Sequence, residues 1–114
     1  MRILEETLSI ISLGKIAEKG FGELVKAVVD VEKEIIAIDA ELHSDLEALC
    51  IENGSKQNAL WGINYYPEME GEDFIEFDSM INLRPSQGNM SRDVESNQIR
   101  TKIVEITDKW IKKF

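Results

Sequence analysis

The chain has 114 residues, of which 43% are hydrophobic and 31% are charged, and its formal net charge is −9. The length predicts a single domain over residues 1–114, and the apolar fraction excludes a wholly disordered chain. The negative charge argues against binding to nucleic acid or to anionic membranes, because both repel an acidic surface.

The cellular location is predicted from cysteine usage and hydropathy. Cys50 is the single cysteine, so no internal disulfide can form, and this pattern favours a reducing compartment. No apolar run approaches about 18 residues, and the beginning of the chain lacks the pattern of a signal peptide. The sequence therefore predicts a cytoplasmic protein.

A short strand and a helix are the first predicted elements. The stretch RILEETLSI predicts a weak strand. SLGKIAEKGFG follows and predicts a helix with Ser12 as its N-cap and Gly20 or Gly22 at its end. The order at the beginning of the chain is therefore strand, then helix.

LVKAVVDVEKEIIAIDAEL is the strongest pattern for a β-hairpin, because β-branched residues flank the charged EKE. A turn centred on Lys33 and Glu34 pairs three sets of apolar residues on one face: Val31 with Ile36, Val29 with Ile38, and Ala27 with Ala40. On the opposite face Lys26 lies across from Glu41, which predicts a cross-strand ion pair.

A second helix and a second hairpin come next. HSDLEALCIENG predicts the helix, with Ser44 and Glu47 as its capping box. LWGINYYP and FIEFDSMINLR both alternate apolar and polar residues across the polar loop PEMEGED. The predicted pairs of this hairpin are Asn64 with Glu76 and Gly62 with Asp78.

The turn-rich loop PSQGNMSRDVESN leads into a final helix that begins near Ser96 or Asn97. Its apolar stripe consists of Ile99, Ile103, Ile106, Trp110 and Phe114. The order β-α-β-β-α-β-β-α predicts an α+β fold, with a mainly antiparallel sheet of four to five strands and about three helices packed on one face. The other face is expected to be polar and partly open.

The only histidine, His43, lies among acidic residues in DAELHSD. On a continuous strand, Asp39, Glu41 and His43 project to one side at intervals of about 6–7 Å. Such groups suit a divalent cation, or a general base oriented by a carboxylate. One histidine is a weak metal pattern, and Asp45 and Glu47 equally suit the first turn of a helix. His43, Glu41 and Asp39 are the catalytic candidates, and a metal ligand set stays open.

A second candidate is INLRPSQGNMSRD, a loop that offers backbone N–H groups, hydroxyls and two guanidinium groups to a phosphate or carboxylate. The alternative is a structural turn in which Arg84 pairs with Glu76 or Asp78. No nucleotide-binding pattern occurs, and no cofactor is expected. The residues expected to bind an anionic group, from this loop and the polar face beside it, are Arg84, Asn64, Asn82, Tyr66, Ser86 and Asn89.

Four motifs, ELHxD, GSxQ, LWGxNxYP and INxRPSQGN, occur together between about Leu24 and the final helix. In this combination the chain resembles a family of small bacterial and archaeal proteins that is known only as a domain of unknown function. The resemblance implies a stand-alone prokaryotic domain and supplies no activity.

Three functions are compatible with these patterns. The favoured one is a small binding module whose polar sheet face and following loop hold an anionic group or a partner protein. One alternative is a hydrolase-like enzyme, with or without a cation, in which His43 is the general base and Arg84 stabilises negative charge. The other is a homo-oligomeric interaction domain without a small ligand, joined through an open sheet face or edge.

Overall fold

A computed structural model of the chain describes residues 1–113. The helices are α1 (Ile10–Lys19), α2 (His43–Glu52) and α3 (Asn97–Trp110). The strands are β1 (Arg2–Ile3), β2 (Leu8–Ser9), β3 (Val25–Asp30), β4 (Ile35–Ile38), β5 (Leu60–Tyr65), β6 (Ile75–Glu76) and β7 (Ile111–Lys112). Five strands form an antiparallel sheet in the order β1-β4-β3-β5-β6, and β2 pairs in parallel with β7. The predicted α+β class is confirmed.

Both faces of the sheet are covered, because β3 is apolar on both sides. Ala27 and Val29 belong to a core shared with α1 and α3. Val28 points the other way and packs with Leu46 and Cys50 of α2 in a second, smaller core. The expectation that all three helices share one face is therefore wrong, since α2 covers most of the face that was expected to be open.

Two short strands, rather than one, form at the beginning of the chain. The first, β1, pairs with β4, and the second, β2, lies beside β7. Helix α1 begins earlier than predicted because Ser9, not Ser12, is its N-cap. The Oγ atom of Ser9 accepts a hydrogen bond from the backbone N–H of Ser12 at 3.0 Å.

The first hairpin forms, but its register differs from the prediction by two residues. Val29 pairs with Ile36 instead of Ile38. The buried carboxylate of Asp30 stabilises a longer turn, since its Oδ1 atom accepts hydrogen bonds from the N–H groups two and three residues later, at 2.9 and 2.8 Å. Because the shift is an even number, the paired residues of β3 and β4 stay on their predicted faces of the sheet. Ala40, which follows β4, packs against the smaller core instead of the predicted face.

The second hairpin is confirmed in its first part only. Asn64 pairs with Glu76 as predicted. The predicted pairing of Gly62 with Asp78 is wrong, because β6 ends at Glu76 and Ser79 is the N-cap of a 3-10 turn that follows. Sequence alternation continues past this point, but the backbone leaves the sheet.

The side chain of Asn82 occupies the position beside β5 that a longer β6 would have filled. Its Oδ1 atom accepts from the N–H of Gly62 at 2.8 Å, and its Nδ2 atom donates to the carbonyl oxygen of Gly62 at 2.9 Å. The same Nδ2 atom donates to the carbonyl oxygen of Arg92 at 3.0 Å. One amide thus satisfies both backbone groups of a strand residue and holds the loop that follows.

The final helix confirms its predicted start, because Ser96 is the N-cap of α3 and accepts a hydrogen bond from a backbone N–H of the first turn. Ile103 and Ile106 of the predicted stripe are buried in the larger core. The last stripe residue, Phe114, lies outside the described residues. In the described part of the chain, α3 and the other helices all lack the length and apolarity that a membrane span requires.

Candidate functional site

His43 is the first residue of α2, is only 7% exposed, and has its ring against β5. The Nε2 atom lies 2.8 Å from the carbonyl oxygen of Ile63. A carbonyl can only accept, so Nε2 carries the proton and donates. Burial lowers the pKa of His43, while the Ile63 carbonyl opposes this, and among weaker influences Lys26 lowers the pKa whereas Asn64 and Asp78 raise it. The net direction is downward, which favours a neutral ring.

Helix α2 starts one residue before the predicted cap. Leu42 is the N-cap and makes no side-chain capping bond, while Ser44 lies within the helix. The capping-box prediction is therefore wrong. Glu47, its other member, instead lies 3.6 Å from the guanidinium group of Arg84. The bond of the His43 ring to β5 anchors the beginning of the helix in place of a cap.

The two carboxylates expected beside His43 lie elsewhere. Asp39 follows β4 in a left-handed conformation, with φ of 73°, and its carboxylate is 3.9 Å from the amino terminus. Glu41 is exposed, and the predicted ion pair with Lys26 is not among the ion pairs of residues 1–113. Within the same residues, no group of three or more His, Cys, Asp or Glu side chains is placed to hold a metal ion.

Cys50 is not an activated nucleophile. Burial, followed by the negative charge of Asp30, raises the pKa of its thiol to about 11, while Lys33 opposes the shift and Glu47 adds to it. The group is therefore a protonated thiol at neutral pH, within the smaller core.

Arg84, the cation expected to bind an anion, is already surrounded by protein groups. Its guanidinium donates to the carbonyl oxygens of Ile81, at 2.9 Å, and of Leu60. It also lies beside the Glu47 carboxylate and 4.8 Å above the centre of the Trp61 ring. Burial lowers the pKa of Arg84, and Glu47 opposes that shift. The predicted alternative partners, Glu76 and Asp78, are not used; Arg84 instead joins the loop to α2 and β5.

The amides expected in the same anion site are also used within the protein. Asn82 binds the backbone of Gly62 on β5. The Nδ2 atom of Asn89 approaches three carbonyl oxygens at 2.7 to 3.1 Å, and its Oδ1 atom accepts from the N–H of Glu95. Ser86 is exposed on the 3-10 turn Pro85–Gln87. The structure therefore uses most of these groups to shape the loop.

His43 and Arg84 are not brought to one place. The histidine contacts the carbonyl of Ile63, and the arginine contacts that of Leu60. These carbonyls are three residues apart on β5, or about 10 Å along the strand. A substrate between a general base and an oxyanion-stabilising cation would need both groups within a few ångströms, so the predicted pairing of the two residues in catalysis is not assembled.

Asn64 and Tyr66 do come together, on the part of the sheet face that α2 leaves open. Both donate to Oε1 of Glu76, at 2.9 and 3.1 Å respectively. The Oδ1 atom of Asn64 is buried without a hydrogen-bond partner among the described residues. Two of the six predicted binding residues therefore share one carboxylate, at the end of β6.

A groove of about 830 Å³ lies between β6 and α3, and sequence reasoning missed it. Ile75 and Phe77 line its strand side, and Val104, which is 41% exposed, lines its helix side. The charged residues along this β6–α3 groove are Glu72, Asp73, Arg100, Asp108 and Lys113. One signal was present in the sequence: Val104 is an apolar helix residue outside the buried stripe.

The backbone beside this groove is an open sheet edge. The N–H of Tyr66 donates to the carbonyl oxygen of Phe74 at 2.8 Å, and Asn64 pairs with Glu76. Because antiparallel strands bond at alternate residues, the backbone groups of Ile75 and Phe77 point away from β5. No loop or turn hydrogen bond of residues 1–113 reaches them. An unpaired edge therefore runs along a groove that has apolar residues on its strand side and on its helix side and charged residues around them.

The neutral ring of His43 predicts a pH-dependent stability. Its folded-state pKa is lowered, so the unfolded chain, with a histidine pKa of about 6.5, binds the proton first as the pH falls. The stabilising contribution is present above that value and is lost as the pH drops through it towards the folded-state pKa. We expect the stability advantage of the wild-type protein over His43→Gln to be smaller at about pH 5.5 than at about pH 7.5 in urea unfolding. A difference that stays constant with pH would contradict this assignment, because carboxylates titrate equally in both proteins.

Comparison with known proteins gives one family. No curated protein and no solved structure matches the chain. The family described as "Protein of unknown function (DUF5674)" matches residues 2–110, which include every strand of the five-stranded sheet and all three α-helices. The predicted resemblance to a domain of unknown function is confirmed, and the chain belongs to the DUF5674 family.

Proposed function

We propose that this protein is a binding module that accepts an extended segment of a partner protein as an additional strand along β6. The observation that carries the proposal is the unpaired edge of Ile75 and Phe77 beside the β6–α3 groove. Peptide-binding domains commonly add a ligand strand to such an edge, with backbone hydrogen bonds for affinity and side-chain hollows for specificity. We place this activity in the cytoplasm.

The contacts of the predicted anion site favour a protein partner over a small anion. Arg84 is bonded to two carbonyl oxygens and lies beside Glu47, so an anion would have to displace existing contacts. The edge of β6, in contrast, offers donors and acceptors that no loop or turn group of residues 1–113 occupies. A ligand that pairs with them loses no existing protein contact.

Helix α3 makes the edge selective. An isolated edge strand pairs with any extended chain, and native proteins limit such pairing with short strands, charges or a covering element. Here the strand has two residues, and α3 borders the groove with Thr101, Val104 and Asp108. A partner must therefore present a side chain that fits between the strand and the helix.

The proposal predicts that Val104→Glu weakens peptide binding at least about tenfold, because a charge in the apolar part of the groove would lose water without a partner on binding. The measurement starts from linear peptides selected on the wild-type full chain from a random displayed library, with Kd values obtained by fluorescence anisotropy. Ile11→Glu is the matched control, since Ile11 is a helical residue, 67% exposed, outside the groove. Its Kd should equal that of the wild type.

Amide hydrogen exchange locates the bound peptide. Slower exchange of the N–H groups of Ile75 and Phe77 on peptide addition is the expected result, because these groups would become hydrogen-bonded. Selected peptides that bind Val104→Glu as tightly as the wild type, or that protect other amides instead, would contradict the proposal. Failure of the library to yield any binding peptide would count against it equally.

A further inference from the structure

We infer that the partner segment alternates apolar and basic side chains, with its apolar residues in the β6–α3 groove and its basic residues on the opposite side of β6. This inference rests on the proposed function, since it assumes that the segment pairs with β6. It follows from the different chemistry of the two sides of that strand, because successive side chains of an added strand point to opposite faces of the sheet.

The side towards α3 takes apolar residues. Ile75 and Phe77 are partly buried and pack against the larger core, so their exposed surfaces form an apolar continuation of it. Arg100 lies 4.5 Å above the ring of Phe77 and is already paired with Asp93. A ligand side chain that covers the remaining surface of these residues and of Val104 would gain stabilisation from burial.

The other side of β6 carries an acidic hollow, defined by Tyr66, Met69, Glu72, Asp73, Ile75 and Glu76, with a volume of about 320 Å³. Glu72, Asp73 and Ile75 also border the β6–α3 groove, so Glu76 is the carboxylate that belongs to the hollow alone. None of its carboxylates is in an ion pair within residues 1–113. Glu76 lies at the strand position that an added strand would directly oppose, and its Oε2 atom accepts no hydrogen bond from the described residues, since Asn64 and Tyr66 both use Oε1.

The electrostatic surroundings of the acidic hollow agree with a cationic occupant. Burial and the hydrogen bond to Glu76 raise the pKa of Tyr66, which lines the hollow, and the negative charges of Glu76, Glu23 and Asp78 add to the shift. An ammonium or guanidinium group opposite Glu76 would form a cross-strand pair of opposite charge, and the chain of the Lys or Arg side chain would lie along Met69 and Tyr66.

A second copy of this chain is a poor occupant of the same edge. Pairing β6 with β6 of another copy would place Glu72, Asp73 and Glu76 near their counterparts, and like charges opposite each other destabilise a strand pair. The net charge of −9 adds to the repulsion between copies. A basic partner is attracted by the same charges.

Three acetylated, amidated octapeptides test the inference on the full chain: one alternating Val and Lys, one alternating Val and Thr, and one alternating Val and Glu. We expect the Val/Lys peptide to bind roughly tenfold tighter than the Val/Thr peptide at low salt, and the Val/Glu peptide to bind weakest, because about two to three exposed charge pairs differ between them. Slower exchange of the Ile75 and Phe77 amides must accompany binding. A Val/Lys peptide with N-methyl groups on its pairing edge should not bind.

Variants of the acidic hollow distinguish pairing of basic side chains with its carboxylates from attraction to the net negative charge of the whole protein. Glu76→Gln should lower the preference for Val/Lys over Val/Thr, because Glu76 lines the hollow and not the groove, whereas Glu70→Gln, with the same change in charge in the neighbouring loop outside both, should keep it.

Each other outcome has a distinct meaning. Equal affinity of Val/Lys and Val/Thr, with protection of both edge amides, would overturn the basic partner and leave the proposed function standing. Absence of edge protection with all three peptides would overturn this inference, and the library-selected peptides would then decide the proposed function separately. A peptide-free dimer that protects the same amides would assign the edge to a second copy and overturn this inference.

Discussion

Replacing Asn82 with alanine is expected to lower the free energy of unfolding by about 2–4 kcal/mol, one of the two largest single-residue effects that we predict for this protein. Asn82 is fully buried, and its amide bonds both backbone groups of Gly62, so alanine would leave a buried donor and a buried acceptor unsatisfied. Urea unfolding monitored by tryptophan fluorescence gives the value, and Asn58→Ala, at an exposed asparagine, is the control.

Aspartate at the same position separates the two hydrogen bonds. Asn82→Asp keeps an acceptor for the N–H of Gly62 but places a carboxylate oxygen against the carbonyl oxygens of Gly62 and Arg92. We expect it to be at least as destabilising as alanine, because it adds repulsion and a buried charge. A loss below about 1 kcal/mol in both variants would show that water replaces the amide and that Asn82 does not substitute for a strand.

The fold class could be predicted because periodicity decides which side of an element is buried. The observed register of the first hairpin differs from the predicted one by two residues, whereas the buried face of its paired strands was predicted correctly. Apolar alternation determines which face is buried, and the turn determines the register. The turn depended on Asp30, whose role as an acceptor for the following N–H groups becomes evident only when the turn is seen. Coverage of both faces escaped prediction because Val28 and Ala37 lie on the same face as Lys26 and Glu41, which was expected to be polar.

The predicted site was less successful, for a related reason. Polar residues in a specific pattern were interpreted as ligand-binding groups. Asn82 and Arg84 instead satisfy backbone groups of β5 that a two-residue β6 leaves without strand partners. Asn89 satisfies carbonyl oxygens of the loop itself. The number of such β5 backbone groups depends on where β6 ends. The sequence could not predict that end, because the alternation of apolar and polar residues continues past it. The open edge of β6 beside Val104 could not be predicted in the same way, because it is defined by backbone hydrogen bonds and side-chain contacts that are not made. A sequence pattern indicates which polar and apolar side chains are present, but it gives little information on which backbone groups stay unpaired in the fold.

Replacing Gly62 with alanine is expected to cost about 2–3 kcal/mol, because the new Cβ atom would meet a tightly packed neighbour. A Cβ built on Gly62 lies 2.6 Å from both Cβ and Oγ of Ser79 and 3.1 Å from Cγ1 of Ile81. Ser79 is fully buried and begins the 3-10 turn directly beyond the open edge. The substitution should therefore displace the segment that follows Phe77 and weaken peptide binding along β6 as well as the fold.

A double-mutant cycle with Ser79→Gly tests this cause. Ser79→Gly alone should cost about 1 kcal/mol, since it removes the hydrogen bond to the N–H of Ile81 and adds backbone freedom. It also removes the two atoms that the new methyl group would strike, so Gly62→Ala/Ser79→Gly should be more stable than the sum of the single losses by about 1–2 kcal/mol. Additive losses would place the strain of Gly62→Ala elsewhere. Recovery of stability together with peptide binding would show that the packing of Ser79 on Gly62 positions the edge of β6.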